Sequence, residues 1–162
     1  MDRYTKKKQA FLVGCADWTV SVLNKADVQE FVELMLIKEG IPPDAVRDVR
    51  VMVLPPQYRV RGILHGTLHL EAKQVSLYPV LPQYGGFSRA PNRDLRMWEG
   101  EISDPSTKAE LTHVSIETLF HELLHLKYPN DEQRVRKLAS IYYGDFEEFS
   151  GTRSRVPRFP SG

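Results

Sequence analysis

The sequence predicts an α+β single domain, on three observations. Apolar residues recur at helical spacing over residues 25–40 and again over 108–143, β-branched alternation fills residues 46–80, and a Gly/Pro-rich stretch over 82–105 separates the two textures. A chain of 162 residues is the size of one ordinary domain, long enough to bury a core without disulfides. The expected layout is an N-terminal helix, a small, mostly antiparallel sheet, a long loop and two consecutive helices within residues 1–150. An extended or mobile tail is expected over residues 151–162.

Each element has a local reason. In residues 25–40, Val28, Phe31, Val32, Met35 and Leu36 form one apolar stripe; Asn24 is the expected N-cap, Asp27 the acid of the first turn, and Gly40 before Pro42-Pro43 the stop. In residues 46–80, Val49, Val51 and Val53 alternate with Arg50, Met52 and Leu54, and 60–64, 67–70 and 75–80 are further strand-like runs. Three or four antiparallel strands follow. Residues 82–105 contain Gly85-Gly86, Pro91 and Gly100, and a loop that long is expected to form a lid or binding wall. Helices are predicted over 108–128 and 131–143. Tyr128-Pro129 ends the first, because the residue before a proline is pushed out of the α region. Asn130 and Gln133 have the spacing of a capping box for the second.

Composition excludes several functions. Hydrophobic residues at 41% and charged residues at 27% describe a soluble globular chain. With 22 basic and 21 acidic side chains, a net charge of +1 argues against a nucleic-acid partner. The basic clusters at Lys6, Lys7 and Lys8 and at Arg153, Arg155 and Arg158 read as solvated tails. No run approaches the roughly 18 apolar residues of a membrane span, and Ala10 to Gly14 is too short for a signal peptide. Cys15, the single cysteine, can form neither an intrachain disulfide nor a cysteine knuckle. A cytoplasmic monomer is expected.

The chemistry is concentrated in His121-Glu122-Leu123-Leu124-His125. Two histidines four apart on a helix lie about 6 Å apart along its axis and on one face, so both imidazoles can meet one metal ion. Zn2+ is the expected cofactor, because imidazole suits it and two imidazoles leave a tetrahedral ion two positions short. Glu122, directly after the first ligand, is the expected general base for a metal-activated water and the later proton donor. Chance produces this string in such a chain on the order of one time in a hundred. Its helix is independently supported by Leu119, Phe120, Leu123, Leu124 and Leu126.

The third ligand is either Asp131 or Glu132. Both follow His125 after a short loop, both flank the stripe of Val135, Leu138, Ala139 and Tyr142, and both suit a helix N-terminus. Asp131 has the six-residue metzincin spacing from His125, but Tyr128 stands where that turn needs glycine. Glu132 has the longer reach and is the preferred choice.

HELLH on one helix, followed closely by Asp-Glu-Gln-Arg-Val-Arg-Lys-Leu-Ala on the next, resembles the gluzincin metallopeptidases, most of all the minimal single-domain minigluzincins. The resemblance rests mainly on residues 115–143. It implies His121, His125 and Glu132 as zinc ligands and Glu122 as general base and acid, with a peptide or protein as substrate. It also implies an edge strand above the cleft that takes extended peptide by β-addition, with residues 75–80 as the candidate. The chain departs from the minimal pattern in its insertion-like residues 82–105 and in how soon the glutamate follows His125. A linked expectation is latency, with residues 151–162 lying substrate-like in the cleft. The rival reading is a zinc-stabilised binding or regulatory domain without hydrolysis, which a closed site of four protein ligands would mark. A deformylase-like site would need a Glu-Gly-Cys setting, and Cys15 stands in Gly-Cys-Ala.

Other residues read more simply. His65 and His69 share a four-residue spacing but flank Gly66 and Thr67, and strand-turn histidines account for them. His113 is expected at the surface or behind the ligands. Arg136 is expected to pair with Glu132 along the helix. Tyr142, Trp18 and Cys15 are expected to pack, and Trp98 and Tyr143 are held as weaker candidates for the cleft.

Overall fold

The computed structural model describes residues 3–53, 66–79 and 105–155. Helices α1 (Arg3–Leu23) and α2 (Ala26–Glu39) precede a 3-10 turn at Pro43–Ala45. Strands β1 (Asp48–Val51), β2 (Gly66–His69) and β3 (Gln74–Leu77) form the sheet, and helices α3 (Pro105–Leu124) and α4 (Glu132–Arg155) complete the α+β layout. The strand expected over 60–64 and most of the loop expected over 82–105, Trp98 included, lie outside the described residues. No helix among the described residues is long and apolar enough to cross a membrane.

Helix α3 is the centre of the molecule. It packs against α1, α4, β2 and β3, and Leu111, Ile116, Phe120 and Leu124 are sealed from solvent along it. Phe31 of α2 meets Phe120 at 5.5 Å and Phe146 of α4 at 5.5 Å between ring centroids, tying three helices into one core. Pro105 occupies the first helical position, where its missing N–H costs nothing. The start therefore falls three residues before the expected one.

Several expectations change. Helix α1 precedes the expected N-terminal helix; it buries Phe11, Leu12, Cys15, Ala16, Thr19 and Val22. Helix α2 takes Lys25, not Asn24, as its N-cap, with no side-chain capping bond. Its other end is as expected. Gly40 sits at φ 69°, and the N–H of Ile41 reaches back to the Leu36 carbonyl at 2.9 Å.

The sheet has the order β1-β3-β2 and is mixed: β2 and β3 form an antiparallel hairpin, while β1 pairs with β3 in parallel, Val49 opposite Val75. The parallel pair arises because β2 folds back on the far side of β3, leaving β3's other edge to β1. Being central among the described strands, β3 is buried at Val75, Ser76 and Leu77, so residues 75–77 do not supply the free edge expected over 75–80, whose last residue lies outside the described residues. Among the described residues, β2 is the outer strand beside α3.

Helix α4 continues through Gly144 to Arg155, past the expected end at residue 143 and into the first five residues of the tail expected over 151–162. Phe146 and Phe149 prolong the stripe begun by Val135, Ala139 and Tyr142, and this burial outweighs the cost of about 1 kcal/mol for a helical glycine. Residues 151–155 thus lie roughly 30 Å along the helix from Glu132, at 1.5 Å per residue. They do not lie in a cleft beside it, and residues 156–162, the rest of the expected substrate-like tail, lie outside the described residues.

Candidate metal centre

The site forms where α3 runs out and α4 begins. After Leu124 the chain tightens: Leu126 N–H bonds to the Leu123 carbonyl at 3.1 Å, and the N–H groups of Lys127 and Tyr128 share the Leu124 carbonyl at 3.0 Å each. His125 still bonds back to His121 along the backbone at 3.3 Å, so its side chain keeps the helical face of His121 although α3 ends one residue earlier. Proline at 129 then redirects the chain.

Asp131 and Glu132 divide the two tasks expected of them. Asp131 is the residue before α4; its Oδ1 accepts the Arg134 N–H at 3.1 Å and its carbonyl accepts the Val135 N–H at 3.0 Å. It is the N-cap, displacing the expected Asn130–Gln133 box. Glu132, the first helical residue, is left to face His121 and His125.

Three side chains converge. His121 Nε2 lies 3.0 Å from Glu132 Oε1, His125 Nε2 lies 2.8 Å from Glu132 Oε2, and the two Nε2 atoms are 3.2 Å apart. Ligand atoms around one tetrahedral zinc at 2.0–2.2 Å stand about 3.3–3.5 Å from each other, so the trio needs to open by only a few tenths of an ångström. Among the described residues these three form the grouping able to hold a metal ion.

Proton positions support the same fit. His125 Nδ1 is 3.1 Å from the Tyr128 carbonyl, which can only accept, so Nδ1 carries the hydrogen. With Nδ1–H bonded to that carbonyl, Nε2 is the ring atom that faces Glu132 at 2.8 Å, where a metal ion would take the place of the proton the contact needs. Burial, the largest influence on His121, lowers its pKa; the pull of Glu132 opposes this, but His125 and Arg136 reinforce burial and leave a neutral imidazole. For Glu132, burial works upward, but the charge of His121 and the hydrogen bonds from Arg136 and His125 hold the carboxyl below its ordinary value. The two senses conflict over whether His121 is charged. Burial decides it, since His121 is the more enclosed partner, and the contact is that of a neutral donor beside a carboxylate.

Glu122 is buried beside this trio. It has no hydrogen-bond or salt-bridge partner among the described residues, a costly state for a carboxylate unless a water or ion answers it. Burial, ahead of the opposing effect of His125, raises its pKa. Gly66, at the start of β2, presses on its stem: a Cβ there would stand 3.0 Å from both Glu122 Cγ and Thr118 Cγ2. Glycine therefore lets the strand backbone approach the helix closely. Gly66, Thr118, His121, Glu122, His125, Glu132 and Arg136 line part of a cleft of about 620 Å³.

The remaining candidates fall elsewhere. Arg136 Nε pairs with Glu132 Oε1 at 3.1 Å, the expected i,i+4 contact. His113 is exposed, bonded to Glu117 at 2.6 Å and stacked on Tyr143 at 3.9 Å. Tyr142 packs and donates to Glu39 at 2.9 Å. Trp18 packs too, its indole N–H directed to Thr112 at 3.0 Å. Cys15 is buried, and His69 is exposed on β2, with His65 outside the described residues. Sequence reasoning missed Gly66 and the Tyr128 carbonyl. The first was legible only as a glycine inside a strand; the second, a backbone atom, leaves no mark in side-chain patterns. Comparison of the chain with protein-family models, with characterised proteins and with solved structures found no match.

Proposed function

We propose that the chain is a zinc-dependent peptidase in which His121, His125 and Glu132 hold the ion and Glu122 moves the proton. The observation that carries this reading is the convergence of two imidazoles and a carboxylate beside a buried, unpartnered Glu122, in an open cleft. Zinc, when bound, supplies Lewis-acid polarisation of a carbonyl and acidification of a water. Glu122 accepts that water's proton and returns it to the departing amine; its raised pKa moves it towards the value suited to both tasks near neutrality. His125 is oriented through its Nδ1–H bond to Tyr128, and Glu132 through Arg136. The substrate is an extended peptide pairing along β2, the outer strand whose Gly66 backbone borders Glu122.

The capping role of Asp131 counts against a closed, purely structural zinc site, because that carboxylate is engaged with the α4 N-terminus. The test is Glu122→Gln in the zinc-loaded full chain, assayed by mass spectrometry on a mixed peptide library. The variant keeps its zinc and loses at least about 100-fold in cleavage. Cleavage equal to the parent's would refute the assigned role.

A further inference from the structure

Glu39 is the last residue of α2, where the helix dipole disfavours an anion, and its side chain is 10% exposed. A carboxylate in that position needs donors, and among the described residues it has three. Oε2 accepts from Lys127 Nζ at 3.0 Å and from the Tyr128 hydroxyl at 3.4 Å, and Oε1 accepts from the Tyr142 hydroxyl at 2.9 Å. Burial works against its ionisation, but the bonds from Lys127, Tyr142 and Tyr128 outweigh it and hold the carboxyl below its ordinary value. Two of the donors are the second and third residues after His125. The third lies on α4, whose first residue is Glu132.

The same turn orients the histidine. Tyr128 offers its carbonyl to His125 Nδ1–H at 3.1 Å and to the Asp131 N–H at 3.5 Å. Its ring is covered by the Arg134 guanidinium at 5.1 Å and by Lys127 Nζ at 5.3 Å. Holding the phenol and Lys127 from α2 therefore restrains the backbone that sets the His125 ring, while Tyr142 restrains α4 against the same anchor.

We infer that Glu39 is a positioning residue: from a third helix it fixes the turn between His125 and Glu132 and so sets the geometry of the candidate metal centre. The inference rests on reading His125 and Glu132 as ligands, and it concerns the shell behind them, whose loss ordinarily weakens metal binding about 10- to 100-fold.

The experiment compares the parent full chain with Glu39→Gln and Tyr142→Phe. Folding is checked by far-UV circular dichroism, the His125 tautomer by long-range 1H–15N spectra of the zinc-free protein, and zinc affinity by competition with a chelator. The parent holds His125 as the Nδ1–H tautomer. In folded Glu39→Gln the tautomers mix and zinc affinity falls about 10-fold or more; Tyr142→Phe, which removes one donor and keeps the ring, shifts both readouts less. A role confined to stability would lower the melting temperature and leave both readouts unchanged, and that result in a folded variant overturns the proposal. Should Glu39→Gln fail to fold, Tyr142→Phe and Lys127→Met carry the same two readouts, and unchanged values in both overturn it. A parent with the expected tautomer but no zinc, whose variants lose the tautomer, supports positioning and refutes the metal centre.

Discussion

Helix α3 carries histidine and glutamate twice, at His113 and Glu117 and again at His121 and Glu122 near its C-terminal end, and the two places behave differently. At the first, His113 and Glu117 satisfy each other at 2.6 Å, in the open, with Tyr143 stacked on the imidazole at 3.9 Å. At the other, His125 directs its Nδ1–H to a backbone carbonyl, burial favours the neutral form of His121, and Glu122 is enclosed without a partner among the described residues. Residue types are shared. The difference lies in what each group's second atom is bonded to, and only the second arrangement aims two imidazole Nε2 atoms and a carboxylate at one point.

The largest effect expected of that contrast is on metal. His121→Ala or His125→Ala lowers zinc affinity at least about 100-fold, beyond the loss typical of outer partners, whereas His113→Ala leaves chelator-competition curves unchanged. Equal losses at both places would abolish the distinction. Next in size is Gly66→Ala: the added Cβ, 3.0 Å from Glu122 Cγ, displaces Glu122 or the strand. Turnover falls about 10-fold or more with zinc retained, since misplacing a reacting group by an ångström costs up to about 100-fold. Full turnover would mean that the close approach is idle.

A pH series sharpens the comparison further. Glu122 is raised in the folded chain, so above its folded pKa the ionised, buried carboxylate costs stability, and the cost disappears as pH falls towards the ordinary value of 4.5. Glu122→Gln should therefore raise the melting temperature of zinc-free protein at neutral pH, with the gain vanishing on acidification. Glu39 has the opposite sign. Its folded pKa is lowered, so its contribution is complete above 4.5 and lost as pH falls through the folded value; Glu39→Gln destabilises at neutral pH and converges with the parent in acid. The same sign for both substitutions would contradict the account. The smallest effect is that of Asp131→Ala, which costs about 1 kcal/mol of stability by denaturant titration, as for other N-caps.

The legible parts of the sequence were those where one side chain does one job. HELLH on a helix, the Gly40 stop and a strand at Val49 to Val51 read directly. The alternation expected to run on to Val53 ends at Val51, and α3 ends at Leu124, four residues before the stop expected at Tyr128-Pro129. Helix α1 was hidden because its buried stripe relies on small and polar residues: Ala16 at the core, and Thr19 bonded to Ser115 of α3 at 2.8 Å. Gly144 reads as a stop, yet the packing of Phe146 and Phe149 carries α4 past it. The choice between Asp131 and Glu132 could not be read from periodicity, because it depends on a one-residue shift of the cap. Sheet order likewise depends on which edge of β3 each neighbour takes, and alternation does not encode that.

The most direct test is the zinc content of the purified full chain beside Glu132→Ala and Asp131→Ala. The account predicts near-stoichiometric zinc in the parent and in Asp131→Ala, and its loss in Glu132→Ala. Zinc retained without Glu132, or absent from the parent after reconstitution, would contradict it.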